Sequence, residues 1–176
     1  VHGNQPVFER FWHFWGNHFA IVDKNKLPEF NTGPMQREQL RPLMTGSFTD
    51  MVYDMTLTWP MMKNLDNFKS RGPNSDYNVG RRKRNKPEKG LNENHGRELL
   101  ELHTVSPDAG YTQEDVINAA YIMTGWGMVG WKKGQGEAKK IGYQGSLHEP
   151  GTHEVLGKKY KSSGFDKQTK GKKQLR

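Results

Sequence analysis

The stretch from residue 90 to residue 126 constrains the fold most, because two helix signatures follow each other there with almost no spacer. The first predicts a helix from Glu93 to His103. The second begins at Thr112, a favourable N-cap residue that is followed by acidic side chains in the first turn. Apolar residues then recur with the spacing i, i+3, i+4 and i+7, and Gly125 suits the C-terminal cap. Two closely joined helices indicate a mainly α protein.

Residues 6–20 predict another helix, whose apolar side consists of large aromatic side chains. An advance of about 100° per residue places these side chains in one stripe roughly 100° wide. Each ring can bury on the order of 150–250 Å², so we expect this helix to be a central packing element. The stripe consists of Phe8, Phe11, Trp12, Trp15 and Phe19.

The middle of the chain predicts shorter helical pieces and a long loop. Ser47 is a suitable N-cap for one helix, which Pro60 ends. From Asp66 to Asn92, glycine, proline, asparagine, serine and cationic residues fill a segment longer than an ordinary connection of about 4–6 residues. We expect this segment to be a loop. Beyond Trp126 the helical periodicity fades, which predicts an irregular C-terminal part with room for one short hairpin.

The predicted fold class is therefore mainly α, with long basic loops. Residues 1–157 are interpreted as one incomplete helical domain of a longer chain, because the sequence opens at Val1 rather than at a methionine. Residues 158–176 contain too few apolar side chains to end a packed element, and they are interpreted as a basic tail.

The chain carries 27 Lys and Arg residues against 19 Asp and Glu residues, and the net charge of +8 attracts anionic partners. Most of the excess lies in the predicted loop and in the tail, where a solvated surface is the favoured interpretation. Binding to an anionic polymer or partner is the alternative. Specific recognition of nucleic acid is disfavoured, because few aromatic side chains interrupt the basic runs. The candidate anion-binding residues of the loop are Arg81, Arg82, Lys83, Arg84 and Lys86.

Several chemistries are excluded by what the sequence lacks. It contains no cysteine, which excludes disulfides, thiolate metal sites and cysteine nucleophiles. It has no run of about 18 apolar residues, so this portion is not expected to span a bilayer. No nucleophile elbow, phosphate-binding loop or dinucleotide fingerprint is present, and the sequence favours no cofactor.

Glu98, Glu101 and His103 are the candidate catalytic residues, because carboxylates and imidazoles serve as acid/base groups and as metal ligands. On an ideal α-helix the three cannot all face one ion. His103 falls on the apolar side with Leu99 and Leu102, and the two carboxylates fall elsewhere.

Two interpretations of these polar residues stay open. The simpler one is structural, with Arg97 pairing with Glu93 and Glu101 at i, i+4 spacing, which contributes about 0.2–0.5 kcal/mol for each exposed pair. The other is a metal site, in which a histidine of the first helix meets a carboxylate of the later one across a helix pair. The candidate metal ligands are His13, His18, Glu98 and Glu101. A further polar cluster at residues 148–153 is a weak signal, because its two histidines lack the i, i+4 spacing of paired helical ligands.

Several short motifs that contain polar residues are distributed over most of positions 8–157. They are Phe11-Trp12, Asn17-His18-Phe19, Leu65-Asp66-Asn67, Gly72-Pro73-Asn74-Ser75, Leu91 to Asn94, Arg97 to Thr104, Gly110 to Gln113 and Thr124-Gly125-Trp126. Taken in order, these motifs resemble the bacterial domain-of-unknown-function 1800 family. The residues that match the family's motifs include Asn17, His18, Asn92, Glu93, Arg97, Glu98, Glu101, His103, Thr112 and Trp126. His95-Gly96 departs from the pattern, since the family commonly has an aromatic or aliphatic residue followed by alanine there.

The resemblance implies a mainly helical protein that is exported to the bacterial periplasm, the outer membrane or the extracellular space, and it implies no established reaction. Two classes of function follow. The first is a non-enzymatic component of a cell-envelope assembly, such as a secretion or surface complex, with other envelope proteins as partners. The second is a metal-dependent or acid/base enzyme that acts on an extracellular polymer.

Overall fold

The computed structural model describes residues 5–21, 32–129 and 140–162. The chain divides into two compact units, Val1–Asn64 and Leu65–Arg176, and this division falls inside the predicted helical domain of residues 1–157. In its described parts the protein is mainly α with two short antiparallel hairpins, which confirms the predicted fold class. None of the described helices is both long and apolar enough to cross a membrane.

The described part of the first unit is helical. Residues 32–35 are α-helical and continue into a π-helical turn, Gln36–Leu40, which leads directly into a short α-helix, Arg41–Leu43. The predicted N-cap Ser47 is confirmed, because its Oγ accepts a hydrogen bond from the backbone N of Asp50 at 3.3 Å. The α-helices with defined bounds in this part of the chain are α1 (Pro6–His18), α2 (Arg41–Leu43), α3 (Phe48–Thr56) and α4 (Trp59–Asn64).

The aromatic stripe of α1 is less buried than the sequence predicts. Phe19 is 1% exposed, but Phe11 is 53% exposed. Arg41 covers part of the stripe, with its guanidinium carbon 5.1 Å from the ring centre of Phe8 and 4.6 Å from that of Trp12. The expectation of a central aromatic helix is therefore wrong for the exposed part of the stripe. The other buried apolar side chains of this unit are Met35, Leu40, Met51, Met55, Met61 and Met62.

The second unit combines three α-helices with two hairpins in its described part. The helices are α5 (Asp76–Lys83), α6 (Asn94–Glu98) and α7 (Gln113–Met123), and the strands are β1 (Trp126–Val129), β2 (Lys140–Tyr143), β3 (Gly151–Val155) and β4 (Lys158–Ser162). Short 3₁₀ turns lie at Asn67–Lys69, Pro107–Ala109 and Gly145–Leu147.

The predicted loop at residues 66–92 contains α5, which corrects the sequence prediction. Ser75 caps this helix by accepting a hydrogen bond from the backbone N of Asn78 at 3.4 Å. Asp76 lies in the first turn and the basic residues 81–83 lie in the last, so both charges suit the helix dipole. The helix has almost no apolar residues, and a pattern of apolar spacing could not reveal it.

The helix predicted at residues 93–103 is observed as α6 and a π-helical continuation, Leu99–Thr104. In a π-helix the hydrogen bonds span five residues, as in the bond from Val105 N to Leu100 O at 3.0 Å. The wider coil changes which side chains face inward. Leu100 and His103 are buried, whereas Leu102 is 56% exposed. The predicted grouping of Leu102 with His103 on the apolar side is therefore wrong.

A close contact between α6 and α7 organises the core of the second unit. A Cβ atom added to Gly96 would lie 2.8 Å from Ala120 N and 2.9 Å from Val116 O, so glycine permits the two backbones to approach. β3 packs against α7 on the same core. The buried apolar residues of this core are Leu100, Val116, Ala119, Ile122 and Val155.

The two hairpins replace the single one that the sequence predicts. β1 pairs with β2 in antiparallel register, with Trp126 opposite Tyr143. β3 pairs with β4 through a turn in which Leu156 and Gly157 both have positive φ, at 50° and 75°, as a two-residue hairpin turn favours. β4 occupies the beginning of the predicted basic tail, so residues 158–162 are a strand. Residues 163–176 of that tail lie outside the described residues.

Candidate functional site

The charged motif residues of α6 connect this helix to the start of α7. Arg97 Nη2 donates hydrogen bonds to Glu93 Oε1 and Gln113 Oε1, each at 2.7 Å. Gln113 Nε2 donates in turn to Glu93 Oε2 at 2.8 Å. Each of these three side chains is therefore hydrogen-bonded to the other two, and we call this arrangement the three-residue ring. The predicted ion pair of Glu93 and Arg97 is thus confirmed. Its hydrogen bond raises the pKa of Arg97.

The three catalytic candidates have different surroundings. Glu101 accepts a hydrogen bond from the hydroxyl of Tyr111 at 3.2 Å, in place of the predicted ion pair with Arg97. Glu98 is half-buried on the last turn of α6, and His103 is 4% exposed on the π-helical segment. Within the described part of this unit, the three do not form a group that could share a metal ion.

His95 is an ionisable core residue that the sequence reasoning did not single out as a site. It is 0% exposed, and neither ring nitrogen has a hydrogen-bond partner among the described residues. Burial, and to a smaller extent the nearby His103, lowers the pKa of His95 from 6.5 to about 3. The ring is therefore neutral at physiological pH. The available signal was its departure from the family pattern, where an apolar residue is common.

The candidate metal ligands of α1 lie among aromatic rings. The ring of His18 lies 4.7 Å from that of Phe19 and 5.3 Å from that of Trp15. His13 is exposed. Both histidines belong to the first unit and the two candidate glutamates belong to the second, so a site shared by them stays a prediction. Inside either unit, the described residues contain no group of three His, Asp or Glu side chains placed to hold a metal ion.

A buried carboxylate connects the segment before β3 to the segment before α5. Glu149 is 5% exposed, and its two carboxylate oxygens accept hydrogen bonds from the backbone N and the Nδ2 of Asn74, each at 2.7 Å. Gly72 N donates to Leu147 O at 3.0 Å beside it. A Cβ at Gly72 would lie 2.5 Å from Glu149 N, so the approach requires glycine. Both oxygens of this carboxylate are thus used inside the fold.

Both histidines of the cluster at residues 148–153 contact backbone oxygens. His148 Nδ1 lies 2.9 Å from Thr124 O. Burial lowers the pKa of His148, and its hydrogen bond to Thr124 partly opposes this shift. His153 Nε2 lies 3.3 Å from Glu149 O. The two rings therefore have separate structural partners.

Thr112 caps α7, as the sequence predicts. Its Oγ1 accepts a hydrogen bond from Asp115 N at 3.1 Å, and Asp115 Oδ2 accepts one from Thr112 N at 2.7 Å. Asp115 Oδ1 accepts a further hydrogen bond from Leu156 N at 2.7 Å, which connects the helix to the β3–β4 turn. These hydrogen bonds lower the pKa of Asp115.

The remaining motif residues also support the backbone. Asn92 N donates to Ser70 Oγ at 3.0 Å. Trp126 is 5% exposed, and its carbonyl oxygen accepts a hydrogen bond from Asn67 Nδ2 at 3.2 Å. Asn17, near the end of α1, has an exposed side chain, and its carbonyl oxygen accepts the backbone N–H three residues later at 3.2 Å.

The candidate anion-binding residues occupy the end of α5 and the turn that follows it. We call residues 83–89 the basic turn. The whole of it is exposed. Arg81 and Arg82, which precede it, are bound to the turn itself, since Arg81 Nε donates to Pro87 O and Arg82 Nη1 donates to Glu88 Oε2 at 3.0 Å. The structure therefore separates these two arginines from the other predicted members of the set.

The first unit carries an open apolar cavity that the sequence did not predict. Its volume is about 530 Å³, which is within the usual range of ligand pockets. Val7 and Phe11 line it and are 67% and 53% exposed. Exposed apolar surface of this kind commonly marks an interaction site. The lining residues are Gln5, Pro6, Val7, Phe8, Phe11, Met44 and Thr45.

Fold and site together define a mainly α protein. Many of its polar motif residues form hydrogen bonds with other parts of the same chain. The sequence profile of the family described as "Protein of unknown function (DUF1800)" matches residues 1–176, so the chain belongs to this family. No curated protein matches the chain, and no solved structure matches it.

Proposed function

We propose that the chain is a non-enzymatic helical component of a bacterial cell-envelope assembly, such as a secretion or surface complex. In this proposal the polar motif residues maintain the shape of a scaffold, and its surface binds partners. Other envelope proteins are the first proposed partners, and an anionic polymer is the second. The proposed location is the periplasm, the outer-membrane surface or the extracellular space.

The observation that carries this proposal is how the motif residues of the second unit are used. Arg97, Glu93 and Gln113 bind one another. Thr112 caps a helix, and Asn74 donates hydrogen bonds to both carboxylate oxygens of Glu149. A general acid or base must reach the proton that it transfers. Side chains whose polar atoms are already bound within the fold fit a structural role better than a catalytic one.

The exposed surface supports the same proposal. The apolar cavity of the first unit and the basic turn of the second are both accessible, and they offer two chemically different kinds of contact. A protein that connects several partners needs such surfaces.

The enzyme stays as the alternative, and Glu98 is its best candidate. Among the described residues, the Glu98 carboxylate makes no ion pair, and it is half-buried beside Arg97. A metal-dependent or acid/base reaction on an extracellular polymer would need this group to act with others.

Two substitutions on adjacent positions separate the proposals. Arg97→Met breaks the three-residue ring, so we expect it to lower the free energy of unfolding by about 1 kcal/mol, a value typical of partly exposed pairs. The recovery of envelope partners with the tagged full-length protein should fall only as far as the folded fraction falls. Glu98→Gln is expected to change neither quantity.

Unfolding in urea, followed by tryptophan fluorescence, measures the free energy of unfolding. Co-purification from the cell envelope measures the recovery of partners. If Glu98→Gln removes the cellular function while stability is unchanged, the enzyme is favoured. A stoichiometric metal ion in the purified full-length protein would also count against the scaffold.

A further inference from the structure

We propose that the basic turn binds a linear anionic polysaccharide. This inference rests on the proposed function, because it names one partner of the scaffold and the residues that contact it. It depends on three features of the turn: a fixed backbone, a set of cations that make no ion pair within the described residues, and a lack of groups that suit other polyanions.

The backbone of the basic turn is fixed by the way α5 ends. Lys86 N donates to Arg81 O and Asn85 N donates to Arg82 O, each at 3.0 Å. This pair of hydrogen bonds defines a Schellman motif, which needs a left-handed residue after the helix. Asn85 supplies it, with φ of 52°. The turn therefore has a defined backbone, although it is as exposed to solvent as its composition predicts.

Side chains of α5 hold the rest of the turn against the helix. Asn78 Oδ1 accepts a hydrogen bond from Lys89 N at 3.0 Å, and its Nδ2 donates to Lys89 O at 2.9 Å. Arg82 Nη1 donates to Pro73 O at 3.1 Å in addition to its bond with the turn. Arg81 and Arg82 are thus structural, although the sequence predicts them as anion contacts. A backbone fixed in this way loses little conformational entropy when the turn binds a ligand.

The remaining cations of the turn are available for a ligand. Residues 81–89 contain six basic residues and one acidic residue, Glu88, which Arg82 already binds. Apart from Arg81 and Arg82, the four remaining basic residues make no ion pair within the described residues, although carboxylates commonly neutralise clustered cations. They are Lys83, Arg84, Lys86 and Lys89.

The composition of the turn favours an anionic polysaccharide over two other polyanions. No aromatic residue lies between positions 82 and 90, and proteins that bind single-stranded nucleic acid usually stack bases on such rings. Pro87 is the only apolar side chain in the same segment, whereas binding to a membrane surface usually adds inserted apolar residues to the basic ones. Closely spaced cations alone suit a flexible chain of sulfate, phosphate or carboxylate groups.

A charge-matched pair of triple variants tests the proposal. The first combines Lys83→Gln, Arg84→Gln and Lys86→Gln, and the control combines Lys158→Gln, Lys159→Gln and Lys161→Gln on β4. Binding of a short fluorescent heparin fragment is followed by anisotropy over a range of salt concentrations. The turn variant should bind about tenfold more weakly, and its log–log salt slope should fall by about 2. The β4 variant should differ from the wild type by less than about twofold.

The fixed backbone has its own test at Asn85. Asn85→Gly keeps the left-handed conformation and should leave the heparin affinity within about twofold of the wild type. Asn85→Val disfavours that conformation and should weaken binding several-fold without any change in charge. Thermal melts of each variant confirm that the second unit is folded.

The proposal is overturned if both triple variants weaken binding equally, since net charge would then be sufficient. It is also overturned if heparin does not bind, or if phosphatidylglycerol vesicles or single-stranded DNA of equal charge bind more tightly. None of these results would alter the comparison of Arg97→Met with Glu98→Gln, so the scaffold can survive the loss of this partner.

Discussion

Replacing His95 with leucine is expected to remove a loss of stability that the wild-type chain undergoes in mild acid. Burial lowers the pKa of His95 to about 3, compared with 6.5 for an ordinary histidine. Below about pH 6.5 the unfolded chain therefore holds a proton on this ring that the folded chain does not accept. The free energy of unfolding is highest above that pH, and it falls as the pH falls from about 6.5 toward 3.

Proton linkage gives the size of this effect. A single group with these two pKa values lowers the free energy of unfolding by about 2 kcal/mol between pH 8 and pH 5, and by about 4 kcal/mol between pH 8 and pH 3. Leucine has a similar size and takes up no proton. It also removes two ring nitrogens that have no hydrogen-bond partner among the described residues. At pH 8 we therefore expect the variant to be at least as stable as the wild type.

Urea unfolding at pH 8, 6 and 5, followed by tryptophan fluorescence, measures the difference between the two proteins. Burial also lowers the pKa of His148, but this residue is present in both proteins and its effect cancels in the difference. His13→Gln, at an exposed position of α1, is the control for removing a histidine elsewhere in the chain, and at pH 8 it should stay within about 0.5 kcal/mol of the wild type. If wild type and His95→Leu lose stability in parallel from pH 8 to pH 5, the reasoning about His95 is refuted.

Two pairs of glycine substitutions test the close backbone contacts. Gly96→Ala should lower the free energy of unfolding by about 1–3 kcal/mol, because its Cβ would meet the backbone of α7 at 2.8 Å. Gly80→Ala, in the interior of α5, would make only an ordinary contact at 3.5 Å and should raise the same quantity by about 0.5–1 kcal/mol. Equal effects of these two changes in urea unfolding would contradict the tight helix contact. Gly72→Ala would place a Cβ 2.5 Å from the backbone N of Glu149 and should destabilise the protein by at least about 1–3 kcal/mol. Gly90→Ala, with open space around its Cβ, should keep the free energy of unfolding within about 0.5 kcal/mol of the wild-type value. Thermal melts in which Gly72→Ala is tolerated as well as Gly90→Ala would disprove the predicted clash.

Local signals in the sequence predicted the helices that have apolar periodicity and good caps. Thr112 and Ser47 cap α7 and α3 as expected, because capping depends only on residues within the same turn. The helix α5 was missed for the opposite reason. It is stabilised by hydrogen bonds such as those from Asn78 to a backbone segment eleven residues away, and a pattern of apolar residues does not report such bonds.

The candidate site was predicted only where it depends on one helix. The pair of Glu93 and Arg97 follows from i, i+4 spacing, and the structure confirms it. The pairing of Arg97 with Glu101 did not form, because the helix changes to π geometry at residue 99 and Arg97 binds a side chain of α7. Long-range partners of this kind depend on the tertiary fold, so spacing along one helix could not identify them.

The bonds between Asn74 and Glu149 join positions 75 residues apart in the chain. Contacts of such high sequence separation form late, because much chain must be ordered before they stabilise anything. During synthesis the ribosome releases the helices of this unit well before residue 149. The nascent unit therefore passes through a stage in which Asn74 lacks its carboxylate partner. The hydrogen bonds to Glu149 form only once the segment leading into β3 has emerged.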